Sequence, residues 1–494
     1  MFKIIYADKD AYVTNRVVNG VAQVNANVGA AGSLDLFKVY GLTSSGSIPN
    51  TELSRLLVHF DMTSLRSMVA AGQLDLSNPT FSCHLQLSDV YGGQPTPRNF
   101  TLSIAALSSS FDEGLGRDVV LYADQDVCNW LTSSYATGSW FVTGCGLGGT
   151  GSCDWLTTNS TSQVFTTGEE DLNVNVTPIV SGVLSGLLPD AGFRIAFSSN
   201  LEADQQTYFV KRFASRTAFN NDLQPRMVAT WDDSIQDDTN NVFFDSPATL
   251  FFYNYVQSQL ATIVSGTSPV TGSNCMLLTL STPVSGGLYG LVFNTSQHKV
   301  GQNLATGIYS ASIEVSSNDS MLQPQLEASG SVTFTPIWTS RDGTVTYSTG
   351  PTFKAYPPQR GDVFRGSRKF AVAVLGLQKS LSTNEQTVLR VNIFDYTQSY
   401  VSSVSRLPVD LPGIIVRDVH YQVRDQVTDR IVIPFDTVTN STRISNDSLG
   451  MYFVLDSSNL TNGHTYVIDV LILSAGNQQL YKAASPAFRV GDVA

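Results

Sequence analysis

The feature that most restricts this chain is a two-residue alternation of apolar and other side chains, returning repeatedly between turn signals. Leu56, Val58 and Phe60 share one face of an extended segment, while Arg55, Leu57 and His59 share the other. The same rule governs Phe370, Val372 and Val374, then Leu389, Val391 and Ile393. It returns at Ile431, Ile433 and Phe435, and at Tyr466, Ile468, Val470 and Ile472. Side chains of a strand point alternately to opposite faces, so this period predicts half-buried strands, and its regular recurrence predicts sandwiches or jelly rolls. Asn19-Gly20, Asp342-Gly343 and Asn462-Gly463 suit tight hairpins.

Helical spacing is rare. Ile179, Val180, Val183, Leu184 and Leu187 define one helix, with Thr177 as the expected N-cap, Pro178 at the first helical position and Pro189 ending the run. Ile179, Val183 and Leu187 are expected to be buried. A short helix is expected over Thr63–Ala71, stopped by Gly72, and another starting at Asp126 and burying Trp130 and Leu131.

Composition agrees with an all-β chain. Of 494 residues, 42% are hydrophobic, enough for real cores, but only 14% are charged, so polarity comes from Ser, Thr, Asn and Gln. The formal net charge of −12 disfavours a nucleic-acid binder, which needs a basic face. The short basic runs Lys211–Arg212 and Arg365–Lys369 read as solvated surface. No run reaches the roughly 18 apolar residues of a membrane helix. Asp8 follows Met1–Tyr6 too soon for a secretory signal, so the expectation is a chain that folds in a cytoplasm. Its five cysteines, Cys83, Cys128, Cys145, Cys153 and Cys275, are then expected as free thiols, with Cys145–Cys153 the one plausible pair.

The polar stretch Asp232–Asn241 and the segment Tyr356–Gly361 mark boundaries, giving domains over 1–235, 240–357 and 360–494. The last two sizes suit single Ig-like sandwiches.

Catalytic and cofactor motifs fail on context. Gly144-Cys145-Gly146-Leu147-Gly148-Gly149 matches GxGxxG in form, but Thr150-Gly151-Ser152-Cys153 follows where a helix is required, so a flexible surface loop is the reading. There is no P-loop and no nucleophile elbow. His59, His84, His298, His420 and His464 lack metal-ligand spacing. The acidic groups Asp8/Asp10, Asp112-Glu113, Asp124/Asp126, Glu169-Glu170-Asp171 and Asp237-Asp238 read as turn and cap residues, with structural calcium and glycosidase chemistry as alternatives. Sequons at Asn99, Asn159, Asn175 and Asn459 are those expected by chance in so Asn-, Ser- and Thr-rich a chain. The sequence therefore names no catalytic, cofactor-binding or metal-binding residue and no cofactor.

Seven segments in order resemble the DNRLRE-type jelly-roll domains, which are akin to carbohydrate-binding modules. They are Ala7–Val13, Asn25–Gly32 with Leu34-Asp35-Leu36, Ser54–Asp61, Val176–Val180, Gly192–Ile195, Phe213–Arg216 and Pro225–Val228. The segments Asp112–Arg117 and Gly138–Cys153 are long inserts relative to the compact version. The resemblance implies a jelly roll over the first ~230 residues. Ser88–Gly93, Phe111–Gly114, Tyr208–Arg216, Asp232–Ile235, Val432–Asp436 and Ser445–Phe453 are similar to segments of virion structural proteins of tailed bacteriophages, especially marine myoviruses.

The expectation is an all-β protein, an N-terminal jelly roll followed by two Ig-like sandwiches. The resemblance implies a non-enzymatic virion component of tail, baseplate or fibre attachment, assembled in the host cytoplasm, with other virion proteins as partners. A module recognising surface polysaccharide is the alternative. Arg55 and Arg216 are expected to satisfy turn carbonyls, and Pro247–Tyr255 to present part of an aromatic cluster to a partner.

Overall fold

The computed structural model describes residues 1–42, 49–90, 96–136, 138–257, 259–357, 369–395, 414–474 and 477–491. The chain is all-β, with 49% strand and 8% helix. It forms two compact units. One holds Phe2–Val69 and Phe81–Thr230, and the other holds Met1, Ala70–Thr80 and Trp231–Ala494. Much of the expected Tyr356–Gly361 boundary, Arg365 and Tyr91-Gly92-Gly93 lie outside the described residues.

The first unit is built on β1 (Phe2–Thr14), β2 (Ser33–Leu42), β3 (Pro49–Phe60), β4 (Ser82–Leu87), β5 (Phe100–Leu107), β6 (Trp155–Phe165), β7 (Leu172–Asn175), β8 (Phe193–Phe197), β9 (Tyr208–Ala214) and β10 (Arg226–Thr230). Hydrogen bonds connect them in the order β6-β5-β8-β3-β1-β10-β4-β7, and β2 joins β3 to β9. The strand β1 serves two neighbours. Phe2–Tyr6 pair with β10, and Ala7–Thr14 pair with β3 after a bulge between Ala7 and Lys9. A bulge adds a residue and bends the strand, so one chain segment turns from one layer into the next.

Aromatic rings fill the interior. Phe165 of β6 stacks on Phe100 of β5 at 4.9 Å and meets Phe213 of β9 at 6.5 Å. The strands β6 and β9 share no ladder, so the second contact crosses the core. Phe197 carries the chain on from Phe100 (5.5 Å) to Tyr208 (5.3 Å). Strands here are buried on both faces: Arg55 and Leu57 of β3 are as covered as Leu56, Val58 and Phe60. Leu57 belongs to a second apolar cluster with Phe111, Cys128, Trp140 and Cys145.

The helices depart from expectation in instructive ways. The helix α1 (Thr63–Ala70) stops before Gly72, whose φ is +71°. In α2 (Thr177–Leu184) the cap position belongs to Val176, and Thr177 Oγ1 instead accepts the Cys83 N–H at 2.8 Å. Ile179 and Val183 are buried, but Leu187 is 82% exposed. Gly186, with φ +76°, has already turned the chain, and Leu188 lies against Gly182 in its place. The expected helix at Asp126 is a run of turns with Leu131 exposed. The Asp126 and Asn129 side chains take backbone N–H groups of Val127, Leu131 and Thr132, a local alternative that competes with a helix.

The basic pair at Lys211–Arg212 is not solvated surface. Lys211 is fully buried and donates to Asp89 Oδ1 (2.5 Å), Gly168 O (2.9 Å) and Glu170 O (2.8 Å), which satisfies all three ammonium protons. Arg212 grips both oxygens of Asp35 at 2.6 Å.

The second unit contains two sets of sheets. The first has β11 (Ala248–Tyr253), β12 (Met276–Val284), β13 (Gly287–Val300), β14 (Asn303–Ile313), β15 (Val332–Ser340), β16 (Thr346–Thr349) and β17 (Phe353–Tyr356), in the order β17-β15-β12-β13-β14-β11 with β16 on β15. Leu278, Leu280, Tyr309, Phe334 and Trp338 fill its core. The second set has β18 (Phe370–Leu375), β19 (Gln386–Asp395), β20 (Val419–Asp425), β21 (Ile431–Ile433), β22 (Ser445–Asp447), β23 (Gly450–Asp456), β24 (Thr465–Ser474), β25 (Asn477–Tyr481) and β26 (Phe488–Val490). One sheet runs β18-β19-β23-β22, and the other includes β26-β24-β20-β21 with β25 on β24. Tyr421 of β20 stacks on Phe453 of β23 at 4.2 Å, closing the two sheets over one core. Of the expected face Ile431, Ile433 and Phe435, Ile433 is buried and Phe435 half-buried, but Ile431 is exposed while its neighbour Val432 is buried. Asn462-Gly463 links the two sheets rather than closing a hairpin.

Asp232–Asn241 is not a loose linker within this unit. The Asn446 N–H donates to Ile235 O (2.9 Å), its Nδ2 donates to Asp237 O (2.6 Å), and Asp238 accepts from Thr249 N (2.9 Å) and Arg417 (3.0 Å). Asp237 and Asp238 are both buried.

Candidate functional site

The first unit carries its most elaborate local structure between β5 and β6, over residues 108–154. Polar side chains hold this long insert in one shape. Asn27 is fully buried and donates through Nδ2 to the carbonyls of Glu113 (2.9 Å), Val127 (2.6 Å) and Cys128 (3.0 Å), while its Oδ1 accepts from Gly116 N (2.8 Å). The backbone of Asn27 comes so close that a Cβ at Gly116 would lie 2.0 Å from its carbonyl oxygen, so only glycine fits. Asp118 accepts from Val120, Leu121 and Ala123, and those N–H groups hold its carboxyl below the usual range. Asp124 accepts from Arg117 and Asp118. Buried Asp154 accepts from Phe141 (2.7 Å), Val142 (3.1 Å) and Leu147 (3.2 Å). The acidic residues here do turn and cap work.

Two arginines anchor the glycine loop from below. Arg55 holds both oxygens of Glu202 (2.8 and 2.9 Å), from the short helix α3 (Ser199–Ala203), and gives its remaining arm to Gly144 O at 2.6 Å. Trp130 covers its guanidinium at 5.3 Å. Arg194 donates to Cys145 O (3.0 Å) beneath Trp155 (4.9 Å). Burial, then the neighbouring Arg55, lowers the affinity of Arg194 for its proton. The loop read as flexible surface is thus packed: Cys145 is buried, the Gly144 carbonyl accepts from Arg55 and the Cys145 carbonyl accepts from Arg194. All five cysteines are free, four of them buried.

Arg216 meets a carboxylate rather than turn carbonyls. It grips both oxygens of Glu113, and its N–H donates to Asp10 Oδ2 at 2.6 Å. Asp10 is 1% exposed, and among the described residues its Oδ1 has no hydrogen-bond partner. Burial pushes its carboxyl up to about 7. His59 is flanked by Asp8 (2.6 Å at Nδ1) and Asp190 (3.5 Å at Nε2), carboxylates on opposite ring edges that share no focus. Among the described residues no three His, Cys, Asp or Glu side chains converge as metal ligands would.

On this rigid frame the insert turns large apolar side chains outward. Leu115 and Val120 are 81% and 76% exposed, and Leu121, Tyr135, Phe141, Val142 and Leu147 are exposed as well. Beside Tyr135 lies a shallow polar depression of about 380 Å³ lined by Asn25, Gln125, Asp126, Asn129 and Thr132. Tyr135 Oη donates to Asp126, which fixes the ring at its rim. The sequence marked 112–117 and 138–153 as inserts, but not this display, because the anchors Asn27, Arg55 and Arg194 lie tens of residues away from the segments they hold.

In the second unit the aromatic strand β11 is more covered than expected. Phe252 packs on Trp338 (5.6 Å) and Tyr309 (6.0 Å), and Phe251 on His298 (5.0 Å). Phe251 and Tyr253 are half-buried, and Tyr255 beyond the strand stands exposed. A cavity of about 200 Å³ opens among Asp237, Phe252, Tyr253, Trp338 and Ser448. Burial raises Asp237 to about 6.

No family model matches the chain, and no curated protein matches it. Among solved structures it is similar to a titin fragment, "Titin-A168169", at 9% identity over 53% of this chain and 97% of that one, with a TM-score of 0.15. The chicken CNTN1 FN1–FN3 domains align at 10% identity over 51% of this chain and 64% of theirs, again at 0.15. The ICAM-5 D1–D4 fragment aligns at 10% identity over 97% and 99%, at 0.13. Scores this low carry no argument about function. No helix among the described residues is long and apolar enough to cross a membrane.

Proposed function

We propose that this chain is a structural component of a tailed-phage virion, at the tail, baseplate or fibre attachment, acting through protein–protein interfaces. One observation carries the reading: the insert over 108–154 is internally hydrogen-bonded yet exposes a set of large apolar side chains. Exposed apolar groups on a mobile loop would be a liability, whereas on a fixed frame they form a preorganised docking surface. The low charge of the chain suits wet, uncharged contacts with many neighbours. The similarity of Ser88–Gly93, Tyr208–Arg216 and Ser445–Phe453 to phage structural proteins supports the same reading. A binding rather than catalytic role is supported by Asp118, Asp124 and Asp154, which accept turn N–H groups, and by Glu113 and Glu202, which pair with arginine.

The polar depression beside Tyr135 favours one alternative, an adhesion module for surface polysaccharide. Amides and an aromatic ring at a shallow rim suit sugar hydroxyls and a sugar face. Mass spectrometry and immunogold labelling of gradient-purified particles from the phage encoding the chain test the first reading. The chain is expected in the particles at fixed stoichiometry. Its absence from them, with binding to bacterial polysaccharide lost on Tyr135→Ala, would replace the structural reading by the adhesive one.

A further inference from the structure

The strand β13 has a free edge. Its residues Gly287–Thr295 pair with β12 on one side. On the other side β14 pairs only with Ser296–Val300. Along Gly287–Asn294 no second ladder is formed among the described residues, so alternate N–H and C=O groups of eight residues point away from the sheet. Such an edge is ordinarily blunted by a charge, a proline, a bulge or a covering loop. The sequence Gly-Leu-Tyr-Gly-Leu-Val-Phe-Asn has no charge and no proline, and its ladder to β12 runs without a register shift. Leu288 and Val292 stand 80% and 60% exposed on the outer face. On the inner face Tyr289, Leu291 and Phe293 pack against the core but stay only partly covered, so the core runs out under the open edge. A further strand would finish it.

We propose that the occupant is the same strand of a second copy, paired antiparallel about a two-fold axis at Gly290. The argument is one of matching. Antiparallel neighbours keep inner residues facing inner ones only when the axis passes through a residue. With the axis at Gly290, Leu288 lies opposite the second copy's Val292 and Tyr289 opposite its Leu291. Gly287 lies opposite Phe293 and glycine meets glycine at the axis, so no polar or charged side chain falls within the overlap Gly287–Phe293 apart from the Tyr289 hydroxyl. Charge points the same way. A chain of net charge −12 repels its own copies, and this stretch is free of charge, so pairing there meets little opposition. Asp319 accepts the Tyr289 hydroxyl at 2.8 Å, the one carboxylate that hydrogen-bonds to this stretch among the described residues. This inference does not rest on the virion reading, since the dimer forms wherever the chain works.

Sedimentation equilibrium of the full chain over a wide concentration range tests it. A reversible dimer of the 53.4 kDa chain is expected. Placing lysine at both outer positions, Leu288→Lys with Val292→Lys, sets like charges opposite each other and weakens the dimer at least about tenfold. The pair Leu288→Lys with Val292→Glu sets opposite charges across the same axis and restores most of the association. Both positions are exposed, so melting temperature and circular dichroism should match the parent chain. Hydrogen exchange supplies a second reading: β13 amides are protected at high concentration in the parent and exchange quickly in the double-lysine variant. A parent chain that stays monomeric, a dimer indifferent to the double-lysine change, or a lysine–glutamate variant no better than double lysine would each overturn the proposal.

Discussion

Replacing Asp10 by asparagine should make the first unit more stable at neutral pH, against the usual cost of removing a hydrogen-bonded buried carboxylate. Asp10 is sealed within β1, one oxygen held by the Arg216 N–H and the other without a partner among the described residues. Burial is the main cause of its raised pKa, from 3.8 to about 7, with Glu113 adding repulsion. A raised folded-state value means that the folded state binds the proton more tightly than the unfolded chain. Between pH 4 and 7 the unfolded chain has lost that proton while the folded unit keeps it, so stability falls as pH rises. The shift spans roughly three units at about 1.4 kcal/mol each, which bounds the loss at about 4 kcal/mol. Asparagine keeps an acceptor for Arg216 and has no charge to bury. Hydrogen exchange of β1 and β3 amides at pH 5.0, 6.0, 7.0 and 8.0 reads the opening free energy of this unit apart from the rest of the chain. His59 is raised above 6.5 by its hydrogen bond to Asp190 and then by Asp8, against desolvation, and it also loses stability as pH rises. The difference between parent and variant is therefore the test. The variant should gain on the parent steadily from pH 5.0 to 7.0 and stay ahead above that. A constant difference across the range, or a variant less stable at pH 8.0, would refute the burial argument.

Three further outcomes are expected. Arg55→Ala leaves Glu202 with only its 3.5 Å contact to Arg194 and takes the arginine donor from the Gly144 carbonyl, and should cost about 2–4 kcal/mol, with Arg55→Lys failing to restore the two-pronged contact; denaturant unfolding followed by tryptophan fluorescence checks it. Ile179→Ala should cost about 2–5 kcal/mol, whereas Leu187→Ala should stay within about 0.5 kcal/mol, a contrast that thermal melting resolves. A panel of bacterial polysaccharides incubated with the chain should yield no new reducing ends, and turnover abolished by a carboxylate substitution would contradict the non-catalytic reading.

The strands were legible because alternation is a local signal. Leu389, Val391 and Ile393 face the core as their spacing requires, and so do Tyr466, Ile468, Val470 and Ile472. What escaped the sequence was set by distant partners. Lys211 reads as a surface charge until Asp89, Gly168 and Glu170 supply three acceptors. The glycine loop reads as mobile until Arg55, 89 residues away, takes its carbonyl. Leu187 fits the helical period, but one left-handed residue at Gly186 moves it out of phase. The exposed insert was visible only as extra length, since spacing does not say which apolar residues an irregular loop will fold inward.

A cryo-electron microscopy map of the particle assembled by the encoding phage tests the central claim most directly. The account predicts density for this chain at the tail, baseplate or fibre attachment, with Leu115, Val120 and Phe141 of the insert buried against a neighbouring protein. A particle that lacks the chain, or that holds it with the whole insert facing solvent, would contradict it.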